Sequence, residues 1–113
     1  MARVALICPD LLFGSRVEAA LRSAGHEVTR VGRGADAAGA AALVVDLTVD
    51  PEARIEASSG AGGVPRLGFY SHVEQAVRRR AIEAGFERVV PRSRMAREGP
   101  ALVGALVRDA RSN

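Results

Sequence analysis

Lysine is missing altogether from these 113 residues, and all sixteen basic side chains are arginine. Together with heavy use of Ala, Gly and Val, that absence points to the codon bias of a GC-rich genome. The high isoelectric point therefore reflects arginine's own pKa more than surplus charge, because the formal net charge is only +3. Aromatic residues are also scarce: Phe13, Phe69, Tyr70 and Phe86. A nucleic-acid binder would interleave its cations with rings that stack on bases, so nucleic acid is not the expected partner. The lone Cys8 excludes an internal disulfide, and neither Cys nor His spacing fits zinc. No apolar stretch approaches the ~20 residues of a membrane span. The first such stretch, Val4 to Cys8, is too short for a secretory leader. A reduced, cytoplasmic setting without a membrane partner is the expectation.

What is present alternates. Arg3 to Cys8 has the continuous apolar character of a strand buried on both sides. Asp10 is placed to cap a helix whose stripe runs through Phe13, Val17, Leu21 and Ala24, with Gly25 to end it. Glu27 to Val31 reads as a more polar strand near an edge. Gly32 to Ala40 has room for one or two helical turns, and Ala42 to Leu47 is a third strand. Asp50-Pro51-Glu52 starts a helix with a capping side chain, a first-turn proline and an acid on the dipole. That helix gives way to a flexible loop, Ser58 to Gly63, before a strand from Val64 to Tyr70. Ser71-His72-Val73-Glu74 has capping-box spacing for a fourth predicted helix, ending at Ala84 before Gly85. Glu87 to Val90 is the fifth strand, and Gly99-Pro100 opens a last helix through Ala110. Five strands alternating with about five helices imply one domain over residues 1–113. Its expected form is a three-layer, doubly wound, five-stranded parallel sheet of flavodoxin-like type.

In such a sheet chemistry collects at the carboxyl ends of the strands, near the reversal of strand order. Those ends carry Cys8-Pro9-Asp10, Asp46, Tyr70-Ser71 and Pro91-Arg92-Ser93. In order and spacing the chain resembles a response-regulator receiver domain (CheY-like) of two-component signalling, over essentially its whole length. Asp46 falls where that family has its phospho-accepting aspartate. The stretch VPRLGFYS resembles the fourth strand, which ends on Ser or Thr. RAIEAGFERVVPRS resembles the family's ALEAGA helix end, its fifth strand and the Lys-Pro that follows.

The departures concern chemistry. The family's cation-holding acid pair falls on Cys8 and Pro9, with Asp10 one residue further on as a helix cap. The family lysine falls on Arg92 and its proline on Ser93, while the hydroxyl position falls on Tyr70 or Ser71. A thiol and a proline cannot supply oxygen ligands to Mg²⁺, and a guanidinium fork does not stand in for an ammonium. Asp46 reads either as a phospho-acceptor or, in the reading favoured by the missing acid pair, as a pocket acid paired with Arg92. The pocket would comprise Asp10, Tyr70, Ser71 and Arg92, around Asp46.

Ser71 needs no role beyond helix capping, and Cys8 reads as a small buried hydrophobe. His72 reads as a surface residue, and Arg78-Arg79-Arg80 as a solvated face. Gly32-Arg33-Gly34 follows the wrong strand for a dinucleotide motif. The favoured function is a non-enzymatic pseudo-receiver, without cofactor, acting through contacts with a protein of unknown identity. Arg79, Ile82 and Arg88 would form its partner face, or a homodimer face, on the fourth predicted helix and fifth strand. Two alternatives remain open. One is a single-domain response regulator phosphorylated on Asp46 with Mg²⁺; the other is a small α/β domain binding a phosphorylated ligand near Asp46 and Arg92.

Overall fold

The computed structural model describes residues 2–111. Five parallel strands form its sheet: β1 (Arg3–Ile7), β2 (Glu27–Arg30), β3 (Ala42–Asp46), β4 (Arg66–Tyr70) and β5 (Arg88–Pro91), in the order β2-β1-β3-β4-β5. Four α-helices cover it: α1 (Leu11–Ser23), α2 (Pro51–Ser58), α3 (Gln75–Glu83) and α4 (Arg92–Arg111). The expected three-layer, doubly wound receiver-like architecture is what forms. The Gly- and Ala-rich segment after β2 makes a single 3₁₀ turn, Gly34–Ala37. Among the described residues no helix is long and apolar enough to cross a membrane.

Strand alternation sorts the core into two layers. Val4 and Leu6 of β1, Ala42 and Val44 of β3, and Leu67 and Phe69 of β4 face α1 and α4. Ala5, Ile7, Leu43, Val45 and Tyr70 face α2 and α3. With side chains buried on both faces, β1 and β3 have no polar positions to betray their period, as expected for central parallel strands. Gly25 (φ +94°) and Gly85 (φ +100°) end α1 and α3 in the left-handed conformation that glycine adopts without strain. Gly34 lies so close to α2 that a Cβ there would collide with the carbonyl oxygens of Ser58 and Ser59. That close approach, and not phosphate binding, accounts for this glycine. On the opposite side of the sheet from α1, Arg80 grips Glu52 with bonds of 2.7 and 2.8 Å, tying α3 to α2. The contact draws the Glu52 carboxyl below the usual range.

Two helix starts and one helix cap differ from expectation. The last helix begins at Arg92, not at Gly99, so Pro100 lies inside it. The stretch Arg92 to Glu98 is rich in helix formers, and Met95 extends the buried stripe of Leu102, Val103, Leu106 and Val107 backward by two turns. Packing therefore outweighs the loss of one helical bond to the Ala96 carbonyl, which Pro100 cannot donate. The third helix begins at Gln75, and no capping box forms at Ser71. The Ser71 carbonyl instead accepts from the Glu74 N–H at 2.8 Å, closing a turn that leaves Val73 on the outside. At α2, Pro51 does take the first position, but Asp50 is left-handed (φ +49°) and its side chain makes no cap bond.

Candidate functional site

The strand order reverses between β2 and β3, on either side of β1. The carboxyl edge there is where a doubly wound sheet opens a crevice. The register pairs Ile7 with Val45, and one residue further along both strands stand Cys8 and Asp46. Both point to the α1/α4 side. Asp46 is only 1% exposed. Its Oδ1 accepts from the backbone N–H of Thr48 at 2.8 Å and from the Thr48 hydroxyl at 2.6 Å. Its Oδ2 faces the Cys8 thiol at 3.5 Å. Burial, then the neighbouring Asp46 charge, push the Cys8 thiol up to about 12, so it remains a proton-bearing donor at neutral pH. Arg30 reaches across from β2 to donate to the Cys8 carbonyl at 2.8 Å. Gly14 makes this possible, because a Cβ there would meet the Arg30 guanidinium.

The expected pair between Asp46 and Arg92 does not form. Arg92 opens α4 and turns outward, its guanidinium carbon 4.0 Å from the centre of the Phe13 ring. Its Nη2 lies 3.7 Å from Oδ2 of Asp10. Asp10 caps α1 as expected, with Oδ1 accepting from the Phe13 N–H at 3.0 Å. An aromatic face and a helix-capping carboxylate at the surface thus hold the arginine that the spacing assigned to a buried acid.

Above this arrangement lies a cleft of about 640 Å³. Of the four expected pocket residues, Asp10, Ser71 and Arg92 line it and Tyr70 does not. Strand alternation decides the hydroxyl position: Phe69 turns to α1/α4, so Tyr70 turns to the other core, where its oxygen accepts from Gln75 at 3.3 Å. Ser71 is the hydroxyl in the cleft. Thr48, Arg16 and His72 also line it, and sequence reasoning gave none of them a role. Thr48 had a signal, since a hydroxyl two residues after an aspartate can close back on it. Arg16 had one as well, three residues after Phe13 on the same helix. Cys8 and Pro9 diverge, Cys8 buried and Pro9 exposed.

The resemblance implies a divalent cation, and these residues do not fit one. Mg²⁺ demands near-octahedral oxygen ligation. Cys8 offers a protonated thiol and Pro9 no side-chain ligand. Asp10 is committed to Phe13 and Arg92, and Asp46 lies inside. Among the described residues no three His, Cys, Asp or Glu gather as a metal site. As for the partner face, Ile82 is an outward isoleucine, 44% exposed, with Arg79 exposed beside it. Arg88 is half-buried and reaches Asp109 of α4 at 3.3 Å.

No family model matches the sequence, and no curated protein is significantly similar to it. Solved structures are similar in fold. The receiver domain of a sensor histidine kinase from Pseudomonas aeruginosa, with magnesium coordinated in its active-site cleft, superposes with a TM-score of 0.73 at 20% identity, over 94% of this chain and 97% of that one. A CheY-like response-regulator receiver domain from Methanospirillum hungatei gives 0.80 at 11% identity, over 99% and 98%. NtrX from Brucella abortus gives 0.81 at 11% identity, over 97% of this chain but only 27% of NtrX. From residue 2 to residue 111, this chain has the fold of response-regulator receiver domains.

Proposed function

We propose that this chain is a receiver-like regulatory module that works by contact with a protein partner, without phosphorylation of Asp46 and without catalysing a reaction. The receiver fold supports a signalling role, and the setting of Asp46 carries the rest. Phosphoryl transfer onto a carboxylate is largely positioning and electrostatic stabilisation, with a metal ion neutralising the developing charge. Here the acceptor carboxylate is 1% exposed, and its oxygens are taken up by Thr48 and Cys8. No second acid stands at Cys8 or Pro9. Incubation with acetyl phosphate and Mg²⁺ should therefore leave a single band on a phosphate-affinity gel, for the native protein and for Asp46→Asn alike. A Mg²⁺-dependent slower band that Asp46→Asn abolishes would overturn this reading and establish a phospho-accepting response regulator.

The partner face in this reading is α3 with β5. Interface cores favour exposed apolar groups beside arginine, which is what Ile82 and Arg79 present one helical turn apart. Arg88, tied to Asp109, links that face to α4. Ile82→Glu should leave the free energy of urea unfolding within about 0.5 kcal/mol of native, as for other surface changes, and weaken association in pull-down or light scattering. Equal association of native and variant protein would remove this face from the proposal.

A further inference from the structure

A second cavity of about 220 Å³ lies beside the cleft, between α1 and α4, lined by Val17, Leu21, Met95, Gly99 and Pro100. The two share Phe13, Arg16 and Ala96. One end of the combined space is cationic and hydroxylated: Arg16 and Arg92, with Thr48, Ser71 and Ser93. The other is apolar. Gly99 brings no side chain to the groove, where a Cβ would stand 3.2 Å from the Met95 methyl.

We propose that the cleft and the groove beside it together bind a small amphipathic anion, a phosphate or carboxylate head on a short apolar chain or ring. The head would sit between Arg16 and Arg92, whose planar forks match such oxyanions, and accept from the Ser71 hydroxyl. Among the described residues Asp10 is the one carboxylate lining the cleft, and it already faces Nη2 of Arg92; the other nitrogens of that guanidinium and the Arg16 guanidinium are left for the anion. The tail would lie along Val17 and Leu21 against Met95. Charge complementarity selects an anionic head, and size selects a small molecule. At the ~30 Å³ that a water occupies in the liquid, the groove has room for about seven groups of that size, which suits a short chain and not a peptide segment or a membrane lipid. Sites of this kind, apolar with a few convergent polar groups, are the usual form of small-molecule pockets. This inference stands apart from the partner-contact reading, since it uses neither Asp46 nor α3.

Octyl phosphate, below its micellar range, is the probe, with inorganic phosphate and 1-octanol as its two halves. Calorimetry and thermal unfolding should show saturable binding of octyl phosphate and a rise in Tm, and at least tenfold weaker binding of either half. Arg16→Gln and Ala20→Phe alter exposed α1 positions that line the groove, so both variants should fold, as circular dichroism and urea midpoints would verify. Each should weaken octyl phosphate at least tenfold, the first through the head and the second by filling the groove. Non-saturable binding, or binding unchanged in both variants, would overturn the proposal. So would a concentration-dependent dimer that Ala20→Phe abolishes, since the groove would then belong to a second copy. Sedimentation with phosphatidic acid vesicles in place of octyl phosphate binding would overturn it too.

Discussion

Raising the pH from 8 to 11 should remove roughly 2–3 kcal/mol of stability from the native protein and much less from Cys8→Ala. The thiol's ordinary value is 9.0, and burial followed by the Asp46 charge lifts it to about 12 in the folded chain. Folding therefore favours the protonated thiol. The associated stability is fully present below pH 9 and is lost as the pH climbs toward 12, because the unfolded chain then releases a proton that the folded chain retains. The composition makes this loss readable. There is no lysine in the chain, and Tyr70 is the single tyrosine. Urea midpoints at half-unit pH steps, for native protein, Cys8→Ala and a Tyr70→Phe control, give the comparison. Parallel curves for native and Cys8→Ala would mean that the thiol does not ionise differently in the two states, and that its contact with Asp46 has no electrostatic weight.

The second large effect is mechanical. Phe69→Ala should cost about 3–5 kcal/mol, the usual range for removing a fully buried aromatic ring. Phe69 is 0% exposed on the central strand β4. Its ring centre stands 5.2 Å from that of Phe13, at an interplanar angle of 53°. Arg92 lies on the outer side of Phe13 at 4.0 Å, so a single stack runs from the sheet to the cleft. Ring–ring contact contributes on the order of 0.5–1.5 kcal/mol beyond burial. The double variant Phe13→Ala/Phe69→Ala should then lose less than the two single losses added together. A loss below 2 kcal/mol for Phe69→Ala would mean that the site collapses around the missing ring. Strict additivity would mean that the two rings stabilise the protein independently.

The sheet was legible because central parallel strands are apolar on both faces, and β1 and β3 show it over their whole length. The same property hid the orientation of strand ends. Phe69 and Tyr70 are both large, aromatic and buried, so nothing in their chemistry tells which turns toward the crevice; only the pleat settles it, and the hydroxyl lining the cleft is that of Ser71. Asp46 was identifiable as the acid at the switch point, but not its partners. Thr48 wins Oδ1 because it is two residues away, and Cys8 reaches Oδ2 through the strand register. Arg92 was assigned to Asp46 from the place of the family lysine and from its charge, whereas Phe13 and Asp10 offer it a platform and a counter-charge at the surface, where its side chain stays 49% exposed. Pro100 misled in the opposite sense. Its signal as a helix start is strong locally, and the buried stripe continuing back to Met95 overrides it. The groove between α1 and α4 had no sequence signature, since it depends on how far apart two helices pack.

The outermost strands limit how copies of this chain can meet. Both β2 and β5 are only four residues long. The outer edge of β2 begins with Glu27 and ends with Arg30, while β5 begins with Arg88 and ends with Pro91, which has no N–H to offer an incoming strand. Short, charged, proline-ended edges discourage strand-to-strand growth into fibrils. Growth by adding sheet to sheet is thereby disfavoured at both ends of this one.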